Sequence, residues 1–280
     1  MANEKEINGP AVIKLGGVEI ETPQQRRKRL SLLVWGKSGS GKTTLAATAP
    51  GKKLWLNFDP DGVDVLTSRD DVELLDFAPK PDMIVEQFKE DDPLRITRYL
   101  EQHPEIETVV FDSLTTFGNK ALSHGILKAQ KTAKGKYATI EDPGFAGYGN
   151  KNTWTRLAIA KMLKATGTVK RNIIFIAHED KPLLDKDGNV VSISIMLGSA
   201  LNEQVPIDFG EVWNLSDTGR ERRIAIRNCR FRSPVKSRIF LTNGDPEFEW
   251  TYDSIKDEGE GIADWYKEWV EGDGKKINLP

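Results

Sequence analysis

Gly36-Lys37-Ser38-Gly39-Ser40-Gly41-Lys42-Thr43 is the stretch that decides the fold. Its spacing, G-x-x-x-x-G-K-[ST], is that of a loop that wraps phosphate. Glycines let the backbone enter left-handed conformations and come close to an anion. Successive N–H groups then form a concave nest at the start of a helix. Lys42 is placed to reach the outer phosphates of a nucleoside triphosphate, and the Thr43 hydroxyl to ligate Mg²⁺. With Thr44 appended, residues 36–44 form the candidate nucleotide-binding run.

The flanks agree with that reading. Leu30–Trp35 is a short apolar run bounded by glycine, which predicts a buried strand, and Thr43–Thr48 opens a helix that Pro50 stops. Leu54–Phe58 predicts a second strand, ending at Asp59-Pro60-Asp61-Gly62. Thr108–Phe111 predicts another, delivering Asp112 to the edge where the loop lies, as a carboxylate that holds Mg²⁺. Leu54–Phe58 is expected to sit in the sheet between the loop strand and the Asp112 strand, an arrangement that nucleotide kinases and small GTPases generally lack. Asp59 and Asp61 follow where open α/β sheets place ligand chemistry, and either is a candidate general base, or simply a turn residue.

Further along, Glu73–Phe77 and Ile173–Ala177 predict strands, and Met83–Leu100 and Asn152–Ala165 helices. Strands alternating with helices imply a mostly parallel sheet covered on both faces. The C-terminal third reads differently. Leu183–Ile195 predicts a hairpin; Val212–Leu215, Arg223–Arg227 and Ser237–Leu241 predict strands; Ile262–Val270 predicts an aromatic helix. The expected organisation is an N-terminal arm over residues 1–28, an ATPase domain over 29–245 and a helical tail over 246–280.

Composition bounds the partners. The 280 residues carry a formal net charge of −2, so the chain is no polycation and any nucleic-acid site must be a local patch or one assembled from several subunits. Cys229 is the only cysteine, which excludes an intramolecular disulfide and a four-cysteine zinc site. A polar N-terminus and the lack of an apolar run near the ~20 residues of a membrane helix lead to the expectation of a cytoplasmic protein with no membrane partner.

With these residues assembled, the chain resembles the RecA-like recombination ATPases, and more closely the phage-encoded AAA-type nucleotide-binding proteins that act as single-strand annealing ATPases. The resemblance runs from about Leu30 to Phe240. Beyond the phosphate loop it is carried by Val110-Phe111-Asp112-Ser113-Leu114-Thr115, Phe145-Ala146-Gly147-Tyr148-Gly149, Ile174-Phe175-Ile176-Ala177-His178-Glu179 and Lys236-Ser237-Arg238. It implies a RecA-like P-loop NTPase fold with C-terminal β-hairpin extensions. It also implies ATP and Mg²⁺ as ligands, ATP hydrolysis between protomers of a homo-oligomer, single-stranded DNA as substrate, and phage replication or recombination proteins as partners. The family's catalytic glutamate falls at Asp61, one methylene shorter here. His178 falls at the γ-phosphate sensor, and Lys236 and Arg238 at the pair that reaches a neighbour's ATP.

In that family two loops face DNA. Here they correspond to about 118–150, with Lys128, Lys131, Lys134, Lys136 and Tyr137, and to about 180–205. Spaced lysines neutralise phosphates and a tyrosine stacks on an unpaired base. Interleaved acidic residues fit ordinary surface loops equally well. Two other readings stand beside the DNA-dependent ATPase. One is a nucleotide-gated adaptor with little hydrolysis. The other is a small-molecule kinase, disfavoured because no arginine-rich lid follows Asp112.

Overall fold

The computed structural model describes residues 14–15, 18–19, 28–60, 62–79, 84–132 and 137–280. Asp61, Lys134 and Lys136 lie outside the described residues. Strands β1 (Lys14–Leu15) and β2 (Val18–Glu19) pair antiparallel with each other. Eight strands form the central sheet: β3 (Ser31–Gly36), β4 (Lys52–Asn57), β5 (Val72–Asp76), β6 (Ile106–Asp112), β7 (Asn172–His178), β10 (Glu211–Asp217), β11 (Arg222–Ala225) and β12 (Glu247–Trp250). Their order is β12-β11-β10-β3-β7-β6-β4-β5. The six strands from β10 to β5 are parallel, and β11 and β12 add an antiparallel margin. Between β7 and β10 in sequence, β8 (Leu183–Leu184) and β9 (Val190–Ser192) form the expected small hairpin.

Period-two alternation splits the strand side chains between two cores. On one face Leu33, Trp35, Phe111 and Phe175 pack beneath helices α3 (Ile96–Gln102), α4 (Leu114–Gln130) and α5 (Gly144–Thr168), through Leu100, Phe117, Ala158 and Met162. The short helix α2 (Ile84–Gln87) adds Ile84 and Val85 to this core. Leu201 of α6 (Ser199–Gln204) also joins it. On the other face Leu32, Val34, Val110 and Ile174 pack beneath α1 (Lys42–Ala47) and α7 (Ile262–Glu271), through Leu45, Ala46, Ile262 and Trp265. Both faces of the sheet are covered, which is why its central strands β3, β6 and β7 are largely apolar. Residues 246–280 supply β12 to the sheet and α7 to the second core.

Several expectations are corrected. The strand inserted between the loop strand and the Asp112 strand is β7, not Leu54–Phe58; β4 lies on the far side of β6. Burial explains the exchange. β7 is apolar along its length, whereas β4 begins with Lys52 and Lys53, whose ammonium groups find Glu73 and Asp71 near the sheet margin. Ser237–Leu241 is not a strand. The Ser237 hydroxyl accepts from the N–H groups of Ile239 and Phe240, and the segment makes only single bridges, Lys236 with Val212 and Phe240 with Ile277. Met83–Leu100 is not one helix, because Leu94 and Arg95 both take φ 56° after Pro93. The region 118–150 is helical at both ends, since α4 runs to Gln130 and α5 starts at Gly144, so Phe145–Gly149 lies inside a helix.

Candidate functional site

Parallel strands end at one edge, and four of them converge there. β3 leads into the phosphate loop, β4 into Asp59, β6 into Asp112, and β7 ends at His178. Between them lies a cleft of about 560 Å³ lined by Ser38, Gly39, Gly41, Lys42, Thr43, Thr44, Asp59, Asp112, Thr116, His178 and Arg222.

The loop's glycines are required by close approach. A Cβ on Gly36 would lie 2.0 Å from the Leu215 carbonyl oxygen, and Gly41 has φ 93° with the Arg222 side chain 3.3 Å from where its Cβ would stand. No side chain caps the start of α1. Lys42 is buried and donates to the carbonyl oxygens of Gly36 (3.0 Å) and Lys37 (2.6 Å). Burial lowers its ammonium to about 8, against the opposing pull of Asp112, Asp59 and Glu179.

Thr43 donates its hydroxyl to Asp112 at 3.2 Å across the end of β7. Burial, reinforced by the charge of Asp59, pushes the Asp112 carboxyl up to about 7, while Thr43 and Lys42 hold it down. The peptide between Asp112 and Ser113 is cis. This hydroxyl–carboxylate pair suits a hard divalent cation. Among the described residues no three His, Cys, Asp or Glu side chains gather to hold a metal alone. The pair is of the kind that would hold Mg²⁺ together with a nucleotide's phosphates, Thr43 and Asp112 being the residues that would do so.

Opposite Lys42, Asp59 is gripped from two sides. Ser113 Oγ donates to its Oδ1 at 3.0 Å, and His178 Nε2 donates to its Oδ2 at 3.2 Å. Asn57 fixes the turn, accepting from the Asp59 N–H at 3.2 Å and donating to the Asp59 carbonyl at 2.9 Å. The His178 N–H donates to Thr115 Oγ1 at 2.9 Å, tying the end of β7 to α4. Burial raises the Asp59 carboxyl, but hydrogen bonds from His178, Thr116 and Ser113 outweigh it and leave the group below the usual carboxylate range.

The geometry thus brings together Lys42, Thr43, Thr44, Asp59, Asp112 and His178. Asp61 is outside the described residues, though its neighbours Pro60 and Gly62 line the cleft. Lys236 and Arg238 do not line it. They flank Glu211 beside the start of β10, where Glu211 Oε1 accepts from the Arg238 N–H at 2.6 Å. Arg222, Ser113, Thr115, Thr116 and Asn57 are members that sequence reasoning did not assign to the site. Ser113 carried a signal, an N-cap residue ahead of an apolar helix, and its Oγ accepts from the Thr116 N–H. Arg222 carried none, since only the pairing of β11 on β10 brings it to the loop.

A family model described as an AAA domain matches residues 28–248. No curated protein matches the chain. No helix among the described residues is long and apolar enough to cross a membrane.

Proposed function

The chain belongs to the AAA-domain family, and from that premise we propose that it is a RecA-like, Mg²⁺-dependent ATPase that acts on single-stranded DNA. The observation that carries the hydrolytic part is the Asp59 carboxylate, held by His178 and Ser113 within the cleft that presents Lys42, Thr43 and Asp112. A triphosphate wrapped by Gly39–Thr44 has its outer phosphate between Lys42 and Asp59. Asp59 orients a water and accepts its proton as the water oxygen bonds to the γ-phosphorus and the β–γ bridging bond breaks. Lys42 neutralises charge that develops on the phosphate oxygens. Mg²⁺ at Thr43 and Asp112 supplies further neutralisation of the phosphates when bound.

Two features support a polymer partner. α4 and α5 form an antiparallel helical pair, with Gly118 against Lys151 and Gly125 against Asn150. The 25 residues of α5 span about 37 Å, against about 23 Å for a seven-residue strand, so its N-terminal part outruns the sheet. Around that end Tyr137 and Tyr148 are exposed and Phe145 is fully so, and the facing end of α4 carries Lys128, with Lys131 as its C-cap. Exposed aromatic rings suit stacking on unpaired bases, and lysines suit neutralising phosphates. Lys236 and Arg238, off the cleft of their own chain, fit a role toward ATP held by a neighbouring copy. A second reading, an adaptor with slow turnover, draws on the lowered Asp59 carboxyl, which is a weak base.

Phosphate release with and without single-stranded DNA tests the proposal. Lys42→Ala is expected to abolish ATP binding. Asp59→Asn is expected to keep ATP affinity within a few-fold and to lower turnover by about 10²–10⁴. DNA is expected to accelerate the wild type, and Phe145→Ala to lose that acceleration. Wild-type turnover in Asp59→Asn sinks the catalytic assignment; unchanged rates with and without DNA favour the adaptor.

A further inference from the structure

The cleft described above suits phosphates, but among its described lining residues there is no Phe, Tyr or Trp to face a base. Its chemistry is also polarised. Asp59, Asp112 and His178 come from β4, β6 and β7, on one side of the loop strand β3. They mark the end where the outermost phosphate lies. The rest of a nucleotide must leave on the other side of β3, toward β10 and β11, and Arg222 stands there.

Arg222 opens β11 beside the end of β10. Its guanidinium lies against Gly41, and its Nε donates to Asp217 at 3.3 Å. The same side chain forms a wall of a second hollow of about 710 Å³, between the β10–β11 turn and the segment that follows β12. The two cavities are thus neighbours, separated by the one side chain of Arg222. The hollow is within the size range of small-molecule sites.

Its lining differs in kind from that of the phosphate cleft. Tyr252 lines it with a ring stacked on buried Trp250 at 5.8 Å and 16°. Ile255, 95% exposed, forms an apolar rim with no visible structural task. Four acidic residues line it, Asp217, Glu221, Asp253 and Glu258, and the first three of them each hold one cation, Arg222, Arg223 and Lys256 respectively. A carboxylate holding one cation still has lone pairs to accept from hydroxyl and amino donors, while the ring and the aliphatic rim suit a flat apolar face.

We propose that this hollow is the nucleoside subsite, holding the ribose and base of the same nucleotide whose phosphates occupy the loop, with Arg222 at the junction between them. The assignment rests on the phosphate reading of residues 36–44. It commits to a base with an exocyclic amino group, since the wall offers acceptors for amino hydrogens.

Calorimetry with two ligands in Mg²⁺ buffer, ATP and inorganic tripolyphosphate, separates this subsite from the loop. Wild type is expected to bind ATP more tightly than tripolyphosphate. Ile255→Asp and Tyr252→Ala are each expected to weaken ATP about ten-fold while leaving tripolyphosphate within two-fold. Should Tyr252→Ala fail to fold, Ile255→Asp carries the test, because that side chain is exposed. Unaltered ATP affinity in Ile255→Asp, or a parallel loss of both ligands, overturns the nucleoside assignment and leaves the phosphate loop standing. A wild type that binds neither ligand overturns the phosphate reading itself.

Discussion

Two influences, burial and donated hydrogen bonds, compete to set the charge state of Asp59. Burial favours the protonated acid, and the hydrogen bonds donated by His178, Thr116 and Ser113 favour the carboxylate and prevail. A folded-state value below the ordinary one means that the base is ionised at neutral pH and is lost only as pH falls beneath the usual carboxylate range. Removing one donor shifts that limit upward. His178→Ala is therefore expected to move the acid limb of kcat/KM to higher pH and to lower turnover, with ATP affinity little changed. A pH–rate profile checks this, and an unmoved acid limb separates His178 from Asp59. At this scale the sequence was legible wherever a residue's partners are local. Lys42 and Thr43 belong to one eight-residue motif, and Asp112 to one strand end. Arg222 was illegible because it reaches Gly41 through pairing of β11 on β10 and from no motif of its own.

Elements are legible by their apolar period, but their neighbours are not. β4 and β7 both read as buried strands, and only packing decides that β7 takes the centre while β4, with two lysines at its start, moves outward. Ser237–Leu241 alternates like a strand, yet the Ser237 hydroxyl captures the N–H groups that a ladder would use. The outward position of β4 depends on Lys53, whose buried ammonium pairs with Asp71 at the head of β5; Arg69 donates to the same carboxylate at 2.9 Å and 3.0 Å. Burial opposes ionisation of Asp71, but Arg69 and Lys53 overcome it and hold the group at about 2. A depressed carboxyl contributes stability above its unfolded value and loses it as pH falls through the folded one. After discounting for partial exposure, and counting the orphaned lysine, Asp71→Asn is expected to cost about 2 kcal/mol at pH 7. That difference should fade between about pH 4 and 2. Urea denaturation of both proteins across that range is the measurement, and a pH-independent difference would remove the ion pair as its cause.

At the scale of the molecule, the helix that opens the nucleotide cleft is held in place by the far end of the chain. Thr48, just beyond α1, accepts from the Ile262 N–H through its hydroxyl and from the Ala263 N–H through its carbonyl, both at 2.9 Å. One helical turn on, Trp265 is 3% exposed and its ring meets those of Trp213, Phe240 and Phe248 at 5.6–5.9 Å. These residues and Leu45 and Ala46 of α1 share one core, so α7, the antiparallel margin and the phosphate-loop helix pack as one body. A tail that merely decorated the surface could be damaged without consequence for the cleft. Here the opposite is expected. Trp265→Ala removes a fully packed indole and should cost about 3–5 kcal/mol. The loss should appear as a lower midpoint of a single transition. Because α1 loses its backing, ATP with Mg²⁺ should also raise that midpoint less than in the wild type, since ligand stabilisation scales with the logarithm of concentration over Kd. Denaturation followed with and without nucleotide separates the two effects. An equal nucleotide-induced shift in both proteins would mean that α7 stabilises the fold without bearing on the cleft.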